Sequence, residues 1–430
     1  MRKIIYRNLS VEEKKLLLKR PALLGEEAYE KVKKIVYDVK QNGLNAALSY
    51  SIEYDNCSLK NIKATEEEFF NAEKEVSDEL KEAINIAYQN IYSFHISQKH
   101  YNVKVETRKG VVCEKKYLPI EKVGLYIPGG EAPLVSTVLM LSIPAKVAGC
   151  EKIIIASPAK NNFIHPSILY ASKFCGVDEV LKIGGAQAIA LLAYGDEKNN
   201  FEKVYKIFGP GNQYVNLAKL IVASDIDGCA IDMPSGPSEI LIIADDNANS
   251  DFVAADLLSQ AEHGKDSQSI LCCVSEKFAD ETLYKVDMYC KNFSKFGNIK
   301  SSLENSFAIV FGSIKEAIDF SNEYAPEHLS LQIKEAEKYI DKVKNAGSVF
   351  IGEYSPESAG DYASGTNHSL PTYGRAKAYG GVSLDSFMKS ITFQQLSKEG
   401  LREIIFAIQK LAEAEGLEAH KFAADIRLKQ

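Results

Sequence analysis

No stretch of the 430-residue chain reaches the ~18 uninterrupted apolar residues that a membrane helix needs. The opening segment, MRKIIYRNLSVEEKKLLLKR, has no apolar core of the kind a secretory signal carries. Lys and Arg form no run, and 51 of them stand against 58 Asp and Glu, a net charge of −7. A mildly acidic chain without a basic patch is not built for nucleic acid. Gly and Pro number 27 and 13, too few for a disordered or fibrous chain. The eight cysteines (Cys57, Cys113, Cys150, Cys175, Cys229, Cys272, Cys273, Cys290) are scattered, without a CxxC pair or zinc-finger spacing. They read as free thiols of a reducing compartment. Internal repeats and low-complexity linkers are missing too. What remains is a cytoplasmic globular chain, 46% apolar, with length for two to three domains of about 150 residues.

Residues 1 to about 110 read as helical and highly charged. EEAYEKVKKIVYDVKQNG and TEEEFFNAEKEVSDELKEAINIAYQNIYSF place apolar groups three and four apart, and the second is long enough for one extended helix. At Val123 the composition changes. Short β-branched runs (VGLYI, KIIIA, EVLKI, VYKIF, SEILIIA, SILCCV, FAIVF, GSVFI) alternate with amphipathic stretches, the pattern of βαβ units with helices packed on parallel sheets. Several runs end in glycine-rich turns that open helices: IPGG at 127–130, GGAQ at 184–187 and FGPGN at 208–212. Such turns let backbone approach a ligand, and the helix N-termini behind them favour anions, so this half is expected to bind an anionic ligand at the carboxyl ends of its strands. The GxGxxG dinucleotide fingerprint is absent, because Tyr214 stands where a third glycine would follow Gly209 and Gly211. From about residue 383 the pattern turns helical again, through SLDSFMKSITFQQLSKEGL and REIIFAIQKLAEAEGLEAHKFAADIRLK. This tail is too small to bury a core of its own and must dock on this chain or on a partner.

Three segments concentrate groups that carry chemistry. In SDFVAADLLSQAEHGKD, Ser250 suits an N-cap and Gly264 a stop, which sets Gln260 and His263 three apart on one helical face. That spacing fits two ligands of one metal, and equally a histidine that interacts with the dipole at a helix end. Pro326-Glu327-His328 sets a carboxylate beside an imidazole at the expected start of a short helix. Either group suits acid–base work near neutral pH, while a proline-initiated helix with a solvated Glu accounts for the same residues. The segment SPESAGDYASGTNHSLPTYG, 355–374, reads as a long functional loop carrying Asp361 and His368. Glu415 and His420 in the tail fit a solvated helix face. These spacings describe an α/β protein with a candidate His/Asp/Gln metal site and name no reaction.

Eight long blocks in one order do more. VGLYIPGGEAPLVSTVLMLSIPAKVAGC, GGAQAIALLAYG, KIFGPGNQYV, IDMPSGPSEILIIAD, DLLSQAEHGKDSQ, APEHLSLQ, NAGSVFIGEYSPESAGDYASGTNHSLPTYG and AEAEGLEAHKFAADIRL resemble the histidinol dehydrogenase family. The match runs from about residue 115 to the C-terminus and is weaker upstream. It implies zinc-dependent, four-electron oxidation of L-histidinol to L-histidine through L-histidinaldehyde with two NAD, the closing steps of histidine biosynthesis. It implies an α/β fold of two Rossmann-like parallel-sheet domains, aldehyde-dehydrogenase-like, with helical N-terminal and C-terminal extensions. The expected division is an arm at 1–24, a larger α/β domain at 25–122 plus 240–382, an NAD-binding domain at 123–239, and a tail at 383–430 exchanged between subunits of a homodimer.

By matching motif, the resemblance makes Gln260, His263, Asp361 and His420 ligands of one Zn²⁺ per subunit. Glu327 and His328 become the catalytic pair, His328 taking the hydroxyl proton and Glu327 activating water at the aldehyde. Ser238 and Glu415 join His328 and the four ligands around the substrate, and Tyr126, Gln187 and Asn212 become NAD contacts. The lost GxGxxG is then a family trait. Two departures stand apart: NGLNAALSYSIEYD at 42–55 lacks the Gly-Asp pair of NGDxAL, and the connection near Asn200 is looser and more charged. Two rival readings stay open. One is a thiol-dependent aldehyde dehydrogenase using Cys113 or Cys150. The other is a silent zinc or imidazole binder, against which the retention of both Glu327 and His328 speaks.

Overall fold

A computed structural model describes residues 1–20, 25–129 and 133–429. All eight β-branched runs form strands, and they fall into two parallel sheets. Six strands make the larger, in the order Arg2–Ile5, Phe307–Val310, Gln268–Cys273, Glu239–Ala244, His328–Gln332 and Ser348–Ile351. Five make the smaller: Glu179–Lys182, Lys152–Ser157, Lys122–Tyr126, Lys206–Phe208 and Ala230–Ile231. The central strands Glu239–Ala244 and Gln268–Cys273 are buried at every residue, as parallel strands covered on both faces must be. A third sheet, antiparallel, joins Met388–Leu396, Val111–Pro119 and Val103–Arg108. The helix Val135–Ala148 is apolar almost all round, so it sits inside the protein beside the smaller sheet.

Several expectations need correction. The long charged helix expected after Thr65 is two, Glu66–Glu75 and Asp78–Ile96. Val76 is extended, and Ser77 accepts the Leu80 N–H, so a good N-cap restarts the helix where propensity alone would continue it. The tail segment at 388–396 is a strand instead of a helix, because its β-branched and aromatic residues find a partner in Val111–Pro119. The N-terminal arm opens with an edge strand of the larger sheet before its helix Val11–Leu17. Residues 21–24 and Gly130 of the IPGG turn lie outside the described residues.

Residues 26–96, expected with the larger α/β unit, pack on the smaller sheet. Val32, Val36, Val39 and Ala47 of the helix Glu26–Asp55 share a buried cluster with Ile154, Leu181 and Ile189. Each buried valine contributes about 1.5–3 kcal/mol relative to exposure. Ile84, Ala87 and Ile91 of Asp78–Ile96 pack in the cluster that holds Val138, Leu139 and Leu141. Glu26–Asp55 is broken at Gly43, whose φ of +56° only glycine adopts without strain. A Cβ there would fall 2.2 Å from Asp196 Oδ2, and that oxygen accepts the Leu44 N–H at 2.8 Å. The two departures noted in the sequence thus meet: Asp196, in the charged connection before Asn200, caps the break at Gly43.

Candidate active site

The two parallel sheets face one cavity of about 420 Å³. The smaller sheet supplies the turn Gly209–Gln213 and the segment Asp232–Ser238, while the larger supplies Ser267, Glu327 and His328. His263, Asp361 and His368 close it.

Glu327 and His328 are not on a helix. The helix Ile314–Tyr324 ends at Ala325, whose left-handed φ of +53° turns the chain so that His328 begins a strand between Glu239–Ala244 and Ser348–Ile351. Both side chains are buried, which overturns the solvated-glutamate reading. Gln260 lies in the helix Ser250–Ala261, capped by Asn249 in place of Ser250. His263 falls just past its end at the cavity rim, its side chain 42% exposed. Asp361 lies on the short helix Glu357–Tyr362, inside the expected loop.

These pieces converge on His328. Its Nδ1–H donates to Gln260 Oε1 at 3.2 Å, and Glu357 Oε1 lies off-angle at the same distance. With the proton on Nδ1, Nε2 is a free lone pair, 3.7 Å from Asp361 Oδ1 and without a hydrogen-bond partner. Asp361 Oδ2 is in turn 3.8 Å from His263 Nε2. The Glu327 carboxylate accepts the Glu239 N–H at 2.9 Å and lies 3.7 Å from His328 Nδ1. His368 is fixed as a neutral ring, donating from Nδ1 to the Asp361 carbonyl at 2.9 Å with Thr137 at its Nε2.

Burial sets the charges. It pushes the Glu327 and Glu357 carboxyls well above the usual range and Asp361 up to about 7. Neighbouring carboxylates push Glu327 and Glu357 further, although the Glu239 amide opposes this at Glu327. Burial, with His263 and His368 nearby, holds His328 down at about 3. Among the described residues no lysine or arginine pairs with Glu327, Glu357 or Asp361. A bound divalent cation would pull the three carboxyls back down and hold His328 neutral all the more. His263, Glu357 and Asp361 offer ligand atoms within 4.8 Å of one another, and the Gln260 amide nitrogen and one Glu357 oxygen are buried without partners. Imidazole, carboxylate and amide donors with no other cation to balance them fit a zinc site. Glu357, which the sequence reading missed, is one helical turn before Asp361; that i, i+4 spacing was its only sequence signal.

The smaller sheet contributes backbone. Gly209, at φ +121°, passes so close to the end of the neighbouring strand Lys122–Tyr126 that a Cβ would sit 2.2 Å from the Tyr126 carbonyl. Its N–H donates to Asp232 and its carbonyl accepts from Lys219, and these two side chains form a buried ion pair at 2.5 Å. Asn212 caps the helix Gln213–Ser224 by accepting the Val215 N–H. Tyr126 and Gln187 lie together at the next turn: the Tyr126 hydroxyl accepts the Gly185 N–H, and the Gln187 amide donates to Asp55. Ser238 lines the cavity, whereas Glu415 and His420 are exposed on the tail and do not. Neither Cys113 nor Cys150 lines it; Cys113 is on the antiparallel sheet, and burial pushes the Cys150 thiol up to about 12, which makes it a poor nucleophile.

The family model for histidinol dehydrogenase matches residues 18–428. The chain belongs to the histidinol dehydrogenase family. It is 49% identical to a histidinol dehydrogenase of Campylobacter jejuni (strain RM1221) over 429 residues, covering 100% of this chain and 99% of that one. Over 413 residues it is 51% identical to the histidinol dehydrogenase of Bacteroides thetaiotaomicron, covering 96% of each. The crystal structure of histidinol dehydrogenase from Elizabethkingia anophelis superposes with a TM-score of 0.95 at 48% identity, covering 100% of this chain and 98% of that one. A betaine aldehyde dehydrogenase from Staphylococcus aureus shares the fold alone, with a TM-score of 0.51 at 10% identity and coverage of 86% and 83%. As a histidinol dehydrogenase family member the chain is an NAD-dependent oxidoreductase of histidine biosynthesis, taking L-histidinol to L-histidine. Among the described residues no helix is long and apolar enough to cross a membrane.

Proposed function

We propose that this chain carries out both oxidations at the one cavity, with a zinc ion held by Gln260, His263 and Asp361 of one subunit and His420 of the other. The observation that carries the reading is the unpaired Nε2 of buried His328 facing a cluster of carboxylates that no lysine or arginine balances. Bound zinc would supply a template and Lewis acid for the imidazole and amine of the substrate. In the first step His328 takes the hydroxyl proton as the carbinol carbon gives hydride to NAD. A base must be unprotonated to do this, and the neutral state of His328 meets that need. In the second step Glu327 removes a proton from water, the oxygen adds to the aldehyde carbon, and the hydrate gives a second hydride to NAD. The balance is one histidinol, two NAD and one water to one histidine, two NADH and three protons, counting the product as carboxylate.

The nucleotide is assigned to the smaller sheet, against Tyr126, Gln187 and Asn212, with Ser238 and Glu415 completing the substrate pocket. The reading needs a homodimer, because Glu415 and His420 are exposed in the single chain; exposed Phe406, Leu411 and Phe422 on the two tail helices, with Leu417 between them, offer an apolar surface to a partner. The domain division follows the sheets: an NAD-binding unit at 123–239 joined by residues 26–96, and a catalytic unit around 240–382. The protein is assigned to the cytoplasm, where its free thiols stay reduced. The test is NADH produced per L-histidinol consumed, with and without chelator. Two equivalents, lost with the metal and regained on adding zinc, are expected; one equivalent, or indifference to chelator, overturns the reading.

A further inference from the structure

Beneath the cavity lies a charged group that no motif of the sequence marks. Arg20, at the end of the N-terminal arm, has a side chain only 9% exposed, and its partner Glu239 is 2% exposed. The guanidinium grips Glu239 in a two-point pair, Nε and Nη2 donating to the two carboxylate oxygens at 2.9 and 3.0 Å. Nη2 also donates to the Tyr324 carbonyl at 2.6 Å, and the group lies over the Tyr324 ring with its carbon 3.4 Å from the centroid. The Tyr324 hydroxyl lies 2.5 Å from Gln268 Oε1 and 3.1 Å from Glu239 Oε2, so the network ties two adjacent strands to the arm. Arg20, Glu239 and Tyr324 do not line the cavity. Two main-chain bonds lead there from this network: the Gln268 N–H donates to the Ser238 carbonyl at 3.1 Å, and the Glu239 N–H donates to Glu327 Oε2 at 2.9 Å, the one that reaches a catalytic candidate.

We infer that Arg20 is a positioning residue for the aldehyde step, because its grip on the Glu239 side chain fixes the main-chain N–H that holds Glu327. The inference rests on the reading of Glu327 as the group that activates water. Glu327 is faced by His328 and by the carboxylates of Glu239, Glu357 and Asp361. Among the described residues Arg20 is the only lysine or arginine paired with any of these carboxylates. Without it Glu239 becomes an unpaired buried charge beside Glu327. Such a charge is relieved by movement toward water, and movement of Glu239 takes the N–H with it. The alcohol step uses His328, whose ring the Glu239 main chain also touches but whose Nδ1 is held by Gln260 from another element, so it is slowed less.

The zinc-loaded full-length enzyme is assayed in two half-reactions, the first hydride transfer from L-histidinol followed as the pre-steady-state burst of NADH and the oxidation of supplied L-histidinaldehyde with NAD, with zinc content measured for each variant. Arg20→Met should slow aldehyde oxidation about 10–100-fold more than alcohol oxidation, what losing a hydrogen bond to a charged group costs. Arg20→Lys keeps the charge without the fork and should fall between Met and the parent. Arg20→Met with Glu239→Gln removes the stranded charge together with its partner and should recover the aldehyde step to within about threefold of the parent. Equal slowing of both half-reactions, no slowing, or a double variant no better than Arg20→Met overturns the inference. Should Arg20→Met fail to fold, the same selective slowing is required of Arg20→Lys, and its absence overturns the inference. Glu327→Gln runs alongside. If it slows both half-reactions equally, the underlying reading of Glu327 fails; if it is selective and the Arg20 variants are not, the inference alone fails.

Discussion

The two parallel sheets approach the cavity with opposite ends. The smaller presents its carboxyl end, where Lys206–Phe208 runs into Gly209 and the helix Gln213–Ser224 begins. The larger presents its amino end, since Glu239, Gln268 and His328 are the first residues of their strands. The expectation that ligands settle at carboxyl ends therefore describes half the site. The difference is electrostatic. Helices leaving a carboxyl end point their N-termini at the ligand and favour anions such as a pyrophosphate. Helices arriving at an amino end point their C-termini there, as Ser250–Ala261 does just before His263 and Ile314–Tyr324 just before Glu327, and these ends favour a cation. One wall is suited to phosphate and the other to metal before any side chain is counted.

The comparison is tested first on the amino-end wall, where the largest effects belong. His328→Asn should cut alcohol oxidation on the order of 10²–10⁴-fold, the usual cost of a missing general base, and Glu327→Gln should act chiefly on supplied aldehyde. Identical losses in both half-reactions for both variants, with zinc and fold intact, would erase the division of labour. Next comes the claim that this wall is completed by another subunit. A His420→Ala variant should lose zinc and activity together, and mixing it with His263→Ala should restore activity, because one site of each heterodimer carries neither lesion. No recovery after proven subunit exchange would confine the site to one chain.

A smaller effect is expected on the carboxyl-end wall, where backbone does the binding. Asn212→Ala removes a helix cap, typically costing about 1 kcal/mol, and should raise KM for NAD several-fold while leaving histidinol affinity and zinc content alone. A change in KM for histidinol instead would mean the walls are not separable. Smallest is a stability effect behind the metal wall. Burial raises the Asp256 carboxyl to about 7 from its ordinary 3.8. Between those values the folded protein binds more protons than the unfolded chain, so stability falls as pH rises through that window. Asp256→Asn removes the titration and should raise Tm more at about pH 8 than at about pH 5, which scanning calorimetry can check.

The strands of both sheets were legible because burial on two faces demands unbroken β-branched runs, and SEILIIA or SILCCV can be little else. His328–Gln332 was not. HLSLQ is short, follows a proline, and carries an imidazole and an amide at positions that only tertiary contacts bury. The strand Met388–Leu396 was misread for a related reason: it is exposed along most of its length, so its partner strand, and not an apolar face, decides its form. The site was legible as blocks of residues rather than as geometry. Gln260, His263, Glu327, His328 and Asp361 do gather, while Glu357, marked only by its i, i+4 spacing to Asp361, and Arg20, marked by none, were found by their contacts.

The edge strand Arg2–Ile5 has a consequence for how the chain is made. Its parallel partner is Phe307–Val310, about 305 residues downstream, which a ribosome working at 5–20 residues per second reaches roughly 15–60 s later. This early strand is therefore among the last to find its place, and Arg20 must wait for Glu239 and Tyr324 in the same way. The smaller sheet, with all its strands between residues 122 and 231, can close much earlier. The smaller-sheet half can thus serve as the platform on which the larger-sheet half is later assembled. A bulky fusion at the amino terminus should delay maturation of the second half without touching the first.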